Sequence, residues 1–169
     1  MTAPVVLLLV AFVPMILEAV RSRANERSLR SRGAIEPADD VYPFMQIAYP
    51  ACFLAMAAEA WVRHANVGLL FAAGAAVFAG GKALKYWAIA TLGWRWSFRV
   101  LVVPGAPLLH NGPYRWLRHP NYLGIAGELV GMALMAAAPV AGATSIVVFG
   151  ALMLARIRVE ERALEACAR

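Results

Sequence analysis

The sequence predicts an all-α, polytopic membrane protein. Three observations lead there. The chain is 62% hydrophobic and only 15% charged, where a soluble domain carries about 25% charged residues. Its apolar residues fall into long runs, several close to the ~20 residues that span a bilayer. Its arginines gather between those runs, not within them, as membrane loops require. A length of 169 residues fits one membrane domain, 1–169, with three spans in 1–92 and a loop, a hairpin and a tail in 93–169.

Residues 3–20, APVVLLLVAFVPMILEAV, give the first span, which Pro14 is expected to kink and Glu18 nearly ends. A cleaved signal peptide fits poorly, because no basic stretch precedes the apolar run. Residues 21–40 are expected to form a basic loop with an acidic end. YPFMQIAYPACFLAMAAEAWV, 42–62, reads as a second span broken by Pro43 and Pro50, and RHAN as a short turn. The third span, 67–92, carries Lys82 and Lys85 in its last third, where snorkelling is the ordinary expectation. Residues 93–121 form a polar connection in which SFRVLVV is expected to be extended. A fourth span from about Tyr122 to Ala138, a PVAG turn and a fifth span from about Ala141 to Ala155 make a short hairpin. The tail RIRVEERALEACAR reads as a charged interfacial helix, and the total is about five spans.

With the N-terminus outside, every arginine except Arg63 falls on the inner side, and the C-terminus is cytoplasmic. This rule accounts for the net charge of +6, so nucleic acid is not an expected partner, and no nucleic-acid motif accompanies the charge. Cys52 and Cys167 read as free thiols, and His64, His110 and His119 lack metal-ligand spacing, so no metal is expected. No obligate protein partner is evident.

Two polar segments flank the hairpin and must meet at the inner face. In NGPYRWLRHPNYLG, 111–124, proline and glycine hold a set backbone geometry. His119 and Tyr122 share a face if a helix begins near them. Tyr114, Trp116 and Tyr122 offer aromatic surface to a heterocycle or a cation. In RIRVEER, Arg156 and Glu160 stand four apart and most often would form a surface pair. Arg156 also suits a carboxylate, while Glu160 and Glu161 suit an ammonium or a sulfonium. A site with both signs fits a zwitterion such as S-adenosylmethionine. Glu128 lies inside the fourth span, where an acid is a functional candidate by default.

The succession LLHNGPYRWLRHPNYLG, apolar hairpin, RIRVEERAL, over 106–164, closely resembles the isoprenylcysteine carboxyl methyltransferase family. That family carries a GxY element, then RHPxY, then a C-terminal RxxxEE; the related phospholipid methyltransferases share the general form. The resemblance implies a membrane-embedded, S-adenosylmethionine-dependent methyltransferase without a Rossmann domain, and no GxGxxG is present. It places the cofactor against Ala106, Pro107, Leu108 and Leu109, then Tyr114, His119, Pro120, Asn121 and Tyr122. Glu160 would hold the cofactor's charged end. Arg156 would meet the acceptor's acidic group, with Glu161 as a second catalytic acid; apart from the resemblance, Glu128, as an acid inside a span, is expected on the acceptor side. The first half, with EAVRSRANERSLRSRGAIE before YP, is similar to bacterial members associated with type III polyketide synthases, which implies a bacterial inner-membrane enzyme. Those members act on long-chain alkylpyrones or alkylresorcinols. The expected substrate is therefore a lipophilic small molecule or lipid-anchored group met in the membrane lipid, methylated on a carboxyl or acidic hydroxyl. The alternatives are phosphatidylethanolamine-type N-methylation and a non-enzymatic membrane scaffold. The chain departs from the family after its paired acids, ending in LEACAR where members carry an aromatic-rich tail.

Overall fold

The structure, a computed structural model, describes residues 3–64 and 68–167. The RHAN turn, the first residue of the third predicted span and Arg169 lie partly or wholly outside them. Five α-helices follow one another: α1 (Ala3–Ser31), α2 (Tyr42–Val62), α3 (Leu69–Leu92), α4 (Pro120–Met135) and α5 (Pro139–Cys167). Among the described residues there is no strand, only an antiparallel bridge between Ile35 and Val102. Of SFRVLVV, expected to be extended, only Val102 pairs, with Ile35 in the segment after α1, while Phe98 and Arg99 form a bend.

Four helices, α1, α2, α3 and α5, are long and apolar enough to cross a membrane. The five expected spans are not all of that kind. Helix α4 has 16 residues, a length of about 24 Å at 1.5 Å per residue, short of the ~30 Å hydrocarbon core. It lies instead against α3 at very short range. A Cβ on Gly81 would come 2.7 Å from the Gly124 carbonyl, and one on Gly124 would come 2.8 Å from the Gly81 carbonyl. Only glycine lets two backbones approach this closely.

Three expected boundaries move. The basic stretch after residue 20 is not a loop, because α1 continues to Ser31. Its inward face explains this. Ser22 accepts the Phe98 N–H at 2.8 Å, Asn25 donates to the carbonyls of Gly93 and Trp96 at 3.1 and 2.7 Å, and Leu29 is buried. Helical spacing thus zips one face onto the α3–α4 connection and turns Arg21, Arg23 and Arg27 outward. Helix α2 is likewise unbroken: Pro43 stands in its first turn, where no N–H is missed, and the helix runs on through Pro50. At the hairpin, the turn falls on Ala136–Ala138, with Ala137 at φ 45°, and Pro139 opens α5. The charged tail is the end of α5 itself, not a separate helix.

Glu59 near the end of α2 accepts the N–H groups of Val140 and Ala141 at 3.3 and 2.6 Å. It therefore satisfies orphan donors in the first turn of α5. The apolar core joins Leu7 and Ala11 of α1, Phe53 and Met56 of α2, Leu129 and Met132 of α4 and Phe149 of α5.

Lys82 and Lys85 do not snorkel. They are buried, as are Glu18 and Glu128. Lys82 Nζ lies 3.0 Å from Glu18 and 2.7 Å from Glu128; Lys85 Nζ lies 2.6 Å from Glu18 and 3.3 Å from Glu128. Tyr49 donates to Glu128 at 2.7 Å. Two acids and two bases from three helices cancel one another, and a hydroxyl from a fourth closes the group. That balance is what makes them tolerable in an apolar interior.

Candidate active site

The end of the bundle opposite Glu59 gathers the polar segments. Here α1 ends, α2 begins, α3 ends, α4 begins and α5 runs out. Between them lies a cleft of about 540 Å³. One side is the segment 96–103, held to α1 as described. The next is the stretch 106–110, which Arg95 tethers by donating to the Pro107 carbonyl at 2.6 Å. The 3-10 turn Gly112–Arg115 follows. Gly112 has φ 54°, and a Cβ there would run into the Thr91 side chain of α3, so glycine is required twice over. This turn seats Tyr114 against the cleft. Burial and the neighbouring Glu160 carboxylate push the Tyr114 hydroxyl above the usual tyrosine range, so it stays protonated.

Helix α4 begins at Pro120, with His119 just before it. His119 and Tyr122 then lie side by side, with ring centroids 5.7 Å apart. Across from them, α5 presents its paired acids. His119 Nε2 is 3.1 Å from Glu161 Oε1, and the Tyr122 hydroxyl donates to Glu160 Oε2 at 2.8 Å. The HPNY and EE motifs, about forty positions apart, are therefore in direct contact at one face.

Of the residues singled out from sequence, Ala106, Pro107, Leu108, Leu109, Tyr114, His119, Asn121, Tyr122, Arg156, Glu160 and Glu161 all line the cleft. Two do not. Pro120 is buried as the opening residue of α4. Glu128 belongs to the lysine–glutamate group in the helix interior.

Arg156 needs a correction of detail. It does not pair with Glu160, its neighbour one helical turn away. Its Nη1 donates to Asp40 Oδ1 at 2.7 Å, its Nε to the Tyr122 hydroxyl at 3.0 Å, and its Nη2 to the Phe98 carbonyl. The Arg156 and Asp40 side chains are 6% and 5% exposed, so this is a buried ion pair. Asp40 also accepts the N–H groups of Tyr42 and Val100 at 3.0 and 3.1 Å. Sequence reasoning missed Asp40. The signal available was the acidic end of an otherwise basic connection, but nothing local says which arginine it meets.

Comparison with known proteins adds the remaining observation. The model of the isoprenylcysteine carboxyl methyltransferase (ICMT) family matches residues 72–166. The chain belongs to that family. It is 31% identical over 159 residues to the uncharacterized protein YpbQ of Bacillus subtilis (strain 168), covering 94% of this chain and 95% of that one. It is 25% identical over 141 residues to an uncharacterized protein of Haemophilus influenzae, covering 83% and 82%. No solved structure matches the chain.

The matched segment of this ICMT-family chain contains α4, most of α3 and α5, and every cleft residue singled out above. Members of the family use S-adenosylmethionine, and the residues here fit it. The cleft pairs two carboxylates with aromatic surface, which suits a sulfonium and an ammonium beside an adenine. Asn121 Oδ1, on the cleft wall, is buried with no hydrogen-bond partner among the described residues. A buried acceptor left unpaired is costly, and a hydroxyl or amino group of the cofactor would satisfy it.

Proposed function

We propose that this protein is an integral-membrane, S-adenosylmethionine-dependent O-methyltransferase acting on a carboxyl or acidic hydroxyl group of a lipophilic acceptor. The observation that carries the reading is the junction of His119 with Glu161 and of Tyr122 with Glu160 around one cleft. When bound, the cofactor supplies an electrophilic methyl on sulfur. Glu160 holds its cationic end, Asn121 accepts one of its polar hydrogens, and Tyr114 and Tyr122 supply flat surface.

The acceptor's chemistry follows from the charges that remain. Among the described residues, Arg95 and Arg118 line the cleft without a carboxylate partner. They give an anionic acceptor a positive rim. The alkyl part of the acceptor suits the apolar wall formed by Leu29, Leu101, Leu108 and Leu117. A carboxylate needs no base. A phenol or enol does, and His119, held by Glu161 through one ring nitrogen, is the cleft group suited to it. Alignment and exclusion of water supply most of such a displacement. The C-terminal end of α5 and the cleft face the cytoplasm, where the cofactor is found, because the exposed arginines of α1 lie at this same end.

The test is methyl transfer from labelled S-adenosylmethionine by the purified full chain in lipid vesicles. The acceptors are long-chain phenols, enols and carboxylic acids, with phosphatidylethanolamine alongside. O-methyl products are expected. N-methyl lipid as the main product contradicts the proposal, and so does the absence of transfer to any acceptor.

A further inference from the structure

Arg156 and Glu160 lie one helical turn apart on α5, the spacing at which opposite charges ordinarily pair. Here they do not, and the reason lies outside α5. Asp40, from the connection between α1 and α2, takes the Arg156 guanidinium at 2.7 Å with both side chains almost fully buried. The Tyr122 hydroxyl then stands between the two α5 residues, accepting from Arg156 Nε at 3.0 Å and donating to Glu160 Oε2 at 2.8 Å.

We infer that Asp40 is a positioning residue for the cofactor site: it draws Arg156 away from Glu160 and so keeps the Glu160 carboxylate free for a cation. This rests on the reading of the cleft as an S-adenosylmethionine site. The physics is a competition between two carboxylates for one guanidinium. Asp40 wins because its oxygens are fixed by the N–H groups of Tyr42 and Val100 at 3.0 and 3.1 Å. A preorganised acceptor loses less freedom on pairing than a side chain at the cleft edge. Without the Asp40 charge, the buried guanidinium has one carboxylate within a helical turn, Glu160. Pairing there neutralises the group that should hold the cofactor. The neighbouring Arg162–Asp39 pair at 2.6 Å fastens the same connection to α5 at the surface. The α1–α2 connection therefore governs the charge state of a site to which it contributes no cofactor-touching residue.

The experiment is equilibrium binding of labelled S-adenosylmethionine to the purified full chain, wild type, Asp40→Asn, Arg156→Gln and the double variant. Thermal unfolding of each runs in parallel. Asp40→Asn is nearly isosteric and can still accept from one of the two N–H groups. It should weaken binding about ten-fold or more, the worth of one charge-assisted contact. Arg156→Gln alone should bind within about three-fold of wild type, because Glu160 stays free. The double variant should recover most of the affinity lost in Asp40→Asn, even if it is no more stable. A purely structural Asp40 would leave the double variant as weak as Asp40→Asn; that outcome overturns the inference, as does unchanged affinity in Asp40→Asn. If Asp40→Asn does not fold, Arg156→Gln decides: binding as poor as in Glu160→Gln overturns the inference. Absence of saturable binding by the wild type contradicts instead the reading of the cleft.

Discussion

Tyr122 shows how much of the site was readable one residue at a time. HPNY announces a helix start, and the spacing of His119 and Tyr122 puts both rings on one face; the structure has them 5.7 Å apart. The acids opposite were readable for the same reason, since EE and RHPNY are local motifs. What could not be read is the pairing of charges between distant segments. Asp40 with Arg156, and the two lysines with Glu18 and Glu128, depend on how whole helices register. Tyr122→Phe tests the local network. It removes the donor to Glu160 and leaves Arg156 Nε buried without its acceptor, so stability should fall by about 1–3 kcal/mol. Cofactor affinity should fall with it. Thermal unfolding and labelled-cofactor binding measure the two losses.

At the scale of elements, hydropathy located the apolar cores of the helices and failed at their ends. Helix α1 outruns its apolar run because a mixed face, Ser22, Asn25 and Leu29, is buried against the α3–α4 connection. Composition alone marks such a stretch as a loop. Helix α5 outruns its hairpin for the simpler reason that RIRVEERAL is a good helix former with nothing to stop it. PVAG reads as a turn because proline is common in turns, whereas Pro139 serves as the first residue of α5. The start of α5 depends on Glu59, a cap donated by another helix. Glu59→Ala should lower the unfolding midpoint, as loss of a helix cap does, and should raise amide exchange at Val140 and Ala141 first. Hydrogen exchange followed by mass spectrometry reads this directly, and unchanged protection there would mean that the cap carries no weight.

For the molecule as a whole, composition was enough for an all-α membrane protein but not for its layout. Four helices have the length and apolarity of a span, while α4 is packed tightly on α3 with the charged cluster between it, α1 and α3. Those charges look functional or solvated in sequence and are mutually neutralising in space. Glu128→Ala leaves Lys82 and Lys85 to share Glu18 and strips Tyr49 of its acceptor. Breaking a buried group of this kind costs about 3–5 kcal/mol, to be read from unfolding midpoints. A loss below ~1 kcal/mol would show that the cluster is not holding the helices.

The connection that carries Asp40 has its own acid sensitivity. Burial alone would raise the Glu36 pKa, but hydrogen bonds from Arg99 and Arg30 outweigh it and hold the carboxyl below the usual glutamate range. A depressed carboxylate contributes stability that is present above its unfolded pKa and lost as pH falls through the folded one. The stability difference between wild type and Glu36→Gln should therefore be constant above pH ~5 and shrink toward zero in more acidic solution. Melting curves across that range give the comparison, and a difference that grows on acidification would have the wrong sign.

The most direct measurement of the central claim is photochemical crosslinking of labelled S-adenosylmethionine to the purified full chain, with the adducts located by peptide mapping. Label confined to peptides covering 106–122 and 156–165, and competed away by S-adenosylhomocysteine, is the predicted result. Label elsewhere, label that resists competition, or equal label in Glu160→Gln would contradict the account.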